Sequence, residues 1–346
     1  MSKTPFIISI DTEGDDLWAR PHEISTLNAA YLPRFQALCE RFRFRPVYLT
    51  NFEMATSSAF VEFGRDVIAR DAGEIGMHLH AWNSPPLYPL TGDDLRYQPY
   101  LIEYPEHVMK EKIHFLTRLL EDRFDRRMVS HRAGRWAFDA RYAAMLLNEG
   151  YRVDCSVTPG IDWRRNRGNP AANGGTDYRS FPERPYFLDQ ADISRKAESG
   201  LLEVPVTVRP SALHRRAPFA YKTPMVRRFA NMASPGLRWL CPSQSSLKSM
   251  LQVACEAHAD GVDHLEFMLH SSELMPGGSE NYRDEAAIER LYEEMEMVFE
   301  AVSPFCTGMT LTEFSAQFAE SHRKSRSGAS AGSASEPRVS PELAGT

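Results

Sequence analysis

The chain predicts an α/β fold built as a barrel of the TIM type or a close variant, and three observations predict it. Short β-branched and aromatic runs alternate with longer helical patterns through most of the 346 residues, the rhythm of parallel strands joined by helices. The number of such units in this length favours a barrel over an open doubly wound sheet. No Gly-rich dinucleotide fingerprint follows the first strand-like run, which counts against a Rossmann arrangement.

Strands are expected at 6–10, 46–50, 74–78, 128–132, 152–155, 202–208, 265–269 and 308–311, with helices at 27–44, 60–72, 105–124, 139–150, 247–258 and 284–302. The third helix is the plainest: Val108, Ile113, Leu116 and Leu120 share one face at helical spacing. These elements make one domain over 1–322. A basic excursion interrupts it at about 209–245, inside a run from Val204 to Cys255 that holds Arg209, Arg215, Arg216, Lys222, Arg227 and Arg228 but only basic charges before Cys255. Residues 166–177, rich in Gly and Asn, read as loop. From 323 to 346 the chain is mostly Ser, Gly, Ala and Pro, the composition of a disordered tail.

Bulk properties narrow the function classes. A net charge of −6 gives no reason to expect nucleic acid as a partner. No apolar run reaches the roughly 20 residues of a membrane span, and the N-terminus carries no apolar core of signal-peptide length. Cys39, Cys155, Cys241, Cys255 and Cys306 are dispersed without a CxxC pair, which reads as reduced thiols in a cytoplasmic protein. No feature bears on oligomeric state.

The chemistry concentrates at strand ends, where a parallel barrel gathers functional side chains over one mouth. Asp11 and Glu13 follow the first strand, His78 and His80 the third, His131 and Arg132 the fourth, Asp154 the fifth, and His270 the run 265–269. Imidazole and carboxylate suit a zinc-type divalent ion with open positions for water or substrate. Glu13, His78 and His80 supply such a set; His78 and His80, two apart in extended backbone, point to the same side. Such an ion lowers the pKa of its water and polarises a carbonyl. Asp11 is left to act as general base, Arg132 to keep it ionised, and His270 to protonate a departing amine. Simpler readings exist: loop carboxylates, strand-end histidines, and a helix-capping turn at His270–Glu273. His131 faces away from Arg132 and reads as structural.

Five segments in order resemble the polysaccharide deacetylases with a NodB-homology domain (carbohydrate esterase family 4), in a divergent branch of the WalW type. They are Ile10–Gly14, Glu74–Trp82, Ser130–Trp136, Tyr151–Asp154 with Asp162–Trp163, and Met268–Ser271. The resemblance spans about 5–320. It implies an irregular (β/α) barrel of seven or eight strands, with Asp11 as base, Glu13 as metal carboxylate, Arg132 as orienting group and His270 as general acid. It places Trp82, Arg135, Trp136, Asp162 and Trp163 along the substrate groove. Three positions depart from the family pattern. The usual His-x-x-x-His finds Trp82 where its second histidine belongs, with His80 as replacement, the proline of the third motif is Gly134, and Arg135 takes the place of an aromatic. The implied activity is removal of an N-acyl group, acetyl first, from a carbohydrate or sugar-linked precursor, with zinc or another first-row divalent ion as cofactor. A hydrolase of a non-sugar C–N amide bond and a catalytically silent carbohydrate-binding barrel are the alternatives.

Overall fold

A computed structural model describes residues 3–217 and 236–332, with backbone alone for 326–332. The first strand, β1 (Thr4–Thr12), is buried from Pro5 to Thr12, as expected for a strand covered on both faces of a parallel sheet. Its alternation sets the layers. Phe6, Ile8 and Ile10 pack outward with Leu32, Phe35, Leu291 and Phe299 of the surrounding helices. Ile7 points inward, to a core with Val47, Leu49, Val153 and Leu202.

Strands β2 (Val47–Thr50), β3 (Glu74–Leu79), β4 (Ser130–Ala133), β5 (Val153–Asp154), β6 (Tyr186–Leu188), β7 (Lys196–Ala197), β8 (Leu202–Glu203), β9 (Val208–Pro210), β10 (Leu237–Trp239), β11 (Leu265–His270) and β12 (Cys306–Gly308) follow in the chain. Seven of them, β11-β1-β2-β3-β4-β5-β8, run parallel in that order, and β12 adds a further parallel pairing to β1. Strand pairing does not close the ring. Between β8 and β11 the chain is bridged by single bonds: Val206 N donates to Val157 O, Leu240 N to Thr207 O, and Met268 N to Leu240 O. The fold is the irregular (β/α) barrel type, with the ladder left open on one side.

Helices lie where the apolar spacing puts them, at Leu32–Arg41, Ser58–Ala69, Glu106–Phe124, Ala140–Glu149, Leu247–Ala259 and Glu285–Val302. Their starts are chemically marked: Asp139, Ser246 and Asp284 each accept a backbone N–H of the first turn. Three expectations need correction. The run 202–208 is two strands, β8 and β9, with β9 pairing antiparallel to β10. The strand expected at 308–311 is Cys306–Gly308. Residues 311–332 form a helix whose Leu311 and Phe314 plug the inner core, so the expected tail is helical as far as 332; 333–346 lie outside the described residues. The middle of the basic excursion, 218–235, also lies outside them.

Candidate active site

Register assembles the site before any side chain is considered. Asp11 pairs across the sheet with His270, and His78 pairs with Arg132. Side chains leaving these positions toward the interior meet at the C-terminal mouth of the parallel strands. Below them a polar layer replaces the apolar core. Arg132, wholly buried, donates to Asp11 Oδ1 at 2.6 Å, to Ser9 Oγ at 2.7 Å, to Cys155 O at 3.1 Å, and to Glu266. Ser9 Oγ donates in turn to Glu266 Oε1 at 2.6 Å. A buried guanidinium is tolerated because both its charge and its donors are answered.

That environment sets the state of Asp11. Burial opposes its charge, but Arg132, helped by His78 and His270, outweighs burial and holds the carboxyl below its usual range. Oδ1 is engaged by Arg132, whereas Oδ2 faces the two histidines, 3.8 Å from His78 Nε2 and 3.8 Å from His270 Nε2. Asp11 therefore has one oxygen anchored and one facing the mouth.

Glu13, His78 and His80 are all buried, and one ligand atom from each lies within 4.8 Å of the others. His78 Nδ1 donates to Arg132 O at 3.0 Å, so its Nε2 carries the lone pair. Nε2 of His80 stands 2.8 Å from His78 Nε2 and 3.2 Å from Glu13 Oε2. Neither Glu13 oxygen accepts a hydrogen bond. Burial works against its charge, yet the two histidines hold the carboxyl well below the usual range. A buried anion that accepts no hydrogen bond among the described residues, its Oε2 3.2 Å and 3.6 Å from two imidazole nitrogens, is what a divalent cation would satisfy. The donor set fits such an ion. Of the two imidazoles only His78 is oriented by a hydrogen bond; His80 Nδ1 has none. Trp82 steadies that ring instead, its own ring 4.3 Å away and edge-on. Burial drives the His80 imidazolium pKa down to about 4, which keeps the ring neutral and able to ligate.

The loop after β1 is fixed by Asp15, whose carboxylate accepts from Leu27 N at 2.8 Å and Asn28 N at 3.0 Å. Asp15, not Asp11 or Glu13, is thus the acid that caps the turn at Leu27–Tyr31. Ser271 ties the same loop to the end of β11, its Oγ accepting from Glu13 N at 3.0 Å. Next to it, Glu273 accepts the backbone N–H of His270 at 3.1 Å and lies 3.5 Å from His270 Nδ1. Burial lowers the His270 pKa, but Glu273 chiefly, with Glu13 and Asp11, reverses this and pushes it up to about 10. His131 faces the helices: Nδ1 meets Asp154 Oδ1 at 2.5 Å and Nε2 meets Tyr142 Oη at 2.7 Å. Asp154 belongs to that helix-facing network.

Above the centre lies a cleft of about 580 Å³ lined by His270, Trp136, Trp163 and Arg135, with Trp18 opposite. Trp136 also covers Arg132, whose guanidinium carbon is 5.0 Å from its ring centre. Of the residues expected along the groove, Arg135, Trp136 and Trp163 line it. Trp82 sits beneath, against His80, and Asp162 is held on the surface by Arg164 at 2.8 Å. Sequence reasoning missed Trp18, nearly half exposed, with its ring centre 6.3 Å from that of His80 and 6.4 Å from that of His270. An exposed aromatic five residues after the Glu13 carboxylate was the available signal. It also missed Glu273, which it read only as part of a capping turn.

No protein-family model and no curated protein matches the chain. Among solved structures it is similar to a candidate glycoside hydrolase/deacetylase from Parabacteroides distasonis, at 11% identity and TM-score 0.52, over 93% of this chain and 72% of that one. It is also matched to a candidate polysaccharide deacetylase from Mycobacterium smegmatis, at 17% identity and TM-score 0.48, over 99% and 96%. A carbohydrate esterase family 4 pseudoenzyme from Bacillus anthracis matches at 10% identity and TM-score 0.41, over 90% and 66%. The fold is that of the NodB-like polysaccharide deacetylases.

Proposed function

We propose that the chain is a metal-dependent hydrolase that removes an N-acyl group, acetyl first, from a carbohydrate or sugar-linked substrate. The observation that carries this is the buried Glu13 carboxylate, accepting no hydrogen bond among the described residues and converging with His78 and His80 on one point beside an anchored Asp11. The deacetylase-type fold supports the same reading. Glu13, His78 and His80 would hold the cation, which supplies Lewis acidity to the acyl carbonyl and to water when bound.

The chain's own groups then divide the proton work. Asp11 Oδ2 accepts the proton of the attacking water, while Arg132 fixes Oδ1 and keeps the carboxylate ionised. His270, across the mouth, is protonated and donates from Nε2 to the departing nitrogen, with Glu273 sustaining its charge. The cleft aromatics give sugar rings flat faces to stack on. Zinc is the first choice of cation, and the cytoplasm the expected location.

The test is metal content of the purified protein, wild type beside Glu13→Ala and His78→Ala, with acetate release from N-acetylated oligosaccharides and from small amides measured in parallel. Roughly one ion per chain is expected in the wild type, with loss in both variants and acetate released from sugars. Full metal in both variants would overturn the site. Turnover of the amides alone would move the substrate away from carbohydrate.

A further inference from the structure

We infer that the substrate carries an oxyanion, a carboxylate or phosphate, which binds on a wall of the cleft formed by Arg20, Arg135 and Arg167. All three side chains line the cleft. None has a carboxylate within ion-pairing distance among the described residues, whereas 15 of the other 26 described arginines have one. Arg20 is exposed and makes no side-chain hydrogen bond among the described residues. Arg167 Nη1 reaches only Pro170 O at 3.5 Å.

Arg135 shows that the arrangement is built. It sits in left-handed backbone at φ 55°, ψ 26°, followed by Trp136 at φ 62°, positions that non-glycine residues hold only where the surroundings impose them. The guanidinium is held by neutral groups only: it donates to Gln98 O, to Arg167 O at 3.3 Å, and lies 4.2 Å from the ring centre of Tyr100. Gln98 also donates to Leu17 O at 3.0 Å, which ties the loop bearing Arg20 to the same frame. Burial and the nearby Arg20 oppose the Arg135 charge; Tyr100 and Glu103 favour it, but the Glu103 carboxylate accepts the backbone N–H groups of Tyr100 and Asn169 and makes no ion pair with Arg135. Like charges gathered without a carboxylate at ion-pairing distance are relieved by an anionic ligand, and guanidinium forks match oxyanions. The acids of the cleft do not serve: Glu273 is engaged by His270, and Asp16 faces Glu280.

This inference rests on the deacetylase reading for the rest of the substrate. Calorimetry on the metal-loaded protein would compare a neutral N-acetylglucosamine oligomer, the same oligomer with a uronic acid unit, a nucleoside-diphosphate N-acetylglucosamine, and a cationic glucosamine oligomer. At least one anionic ligand should bind about tenfold tighter than the neutral oligomer, with the advantage shrinking in 0.5 M salt; which one separates uronate from phosphate. Arg20→Gln with Arg167→Gln should remove most of that advantage, and these exposed positions avoid the strained Arg135. Equal binding of neutral and anionic ligands, or tighter binding of the cationic one, would overturn the inference. Acetate release from neutral oligomers without anion preference sinks the anion wall and leaves the hydrolase. Anion preference without acetate release from any ligand does the reverse.

Discussion

Gly134 lies against His80 so closely that a Cβ built on it would stand 2.8 Å from the imidazole Cδ2, with the Leu79 carbonyl closer still. Two of the departures from the deacetylase motifs, His80 and Gly134, are therefore one. Where the third motif carries glycine, the end of β3 can hold an imidazole at position 80; a proline ring or any side chain would push it aside. Gly134→Ala is expected to displace His80 and weaken metal binding about tenfold, the lower end for disturbing a ligand's support. Competition with a chelating dye would measure it, and unchanged affinity would detach Gly134 from the metal site.

Arg132 answers Asp11, Ser9, Glu266 and the Cys155 carbonyl at once, which a single ammonium cannot do. Arg132→Lys should lose about 3 kcal/mol of unfolding free energy, since it leaves buried acids partly unanswered. Its kcat/KM should fall by about 100-fold as Asp11 loses its anchor. Denaturant titration and steady-state rates measure the two effects. A variant of wild-type stability and activity would reduce Arg132 to a bystander.

Much of this was legible in the sequence, for definite reasons. A run such as Phe6–Ile10, apolar on both faces, belongs to a covered parallel strand, so the residues after it had to reach the mouth. Strand-end reasoning therefore gathered Asp11, Glu13, His78, His80, Arg132 and His270, and placed His131 on the other face. What escaped lacked periodicity. β6, β7 and β10 are two or three residues long and pair antiparallel, β6 on the edge of the main run at β8, β7 on β6, and β10 on β9. The helix from Leu311 buries few side chains before its composition turns to Ser and Gly. Trp18 sits in an irregular loop between Asp16 and Arg20, both left-handed, where no pattern marks a side chain's direction.

Glu273 is the positioning residue whose role a pH profile can isolate. It keeps His270 protonated, with the pKa pushed up to about 10, so the acid form persists across neutral and mildly alkaline pH and is lost as pH rises toward 10. Glu273→Gln removes the carboxylate that does most to raise it. The alkaline limb of kcat/KM should then move to lower pH by roughly one unit or more, with metal content unchanged. An unmoved limb would mean that another group controls it.

Trp18 and Trp82 both stand beside the His80 imidazole, at 6.3 Å and 4.3 Å between ring centres, and should fail differently when truncated. Trp82 is buried against His80, whose Nδ1 has no hydrogen bond to orient it. Trp82→Ala leaves that ring unsupported, so metal should be lost and stability should drop by about 3 kcal/mol or more. Trp18 is exposed over the cleft and packs on little else, so Trp18→Ala should retain metal and change stability by less than about 0.5 kcal/mol. Its signature is a raised KM for an oligosaccharide substrate, about tenfold if one sugar ring stacks there. Metal analysis, thermal unfolding and KM on both variants make the comparison. Equal metal loss in the two would show that Trp18 supports the centre and does not present a face to substrate.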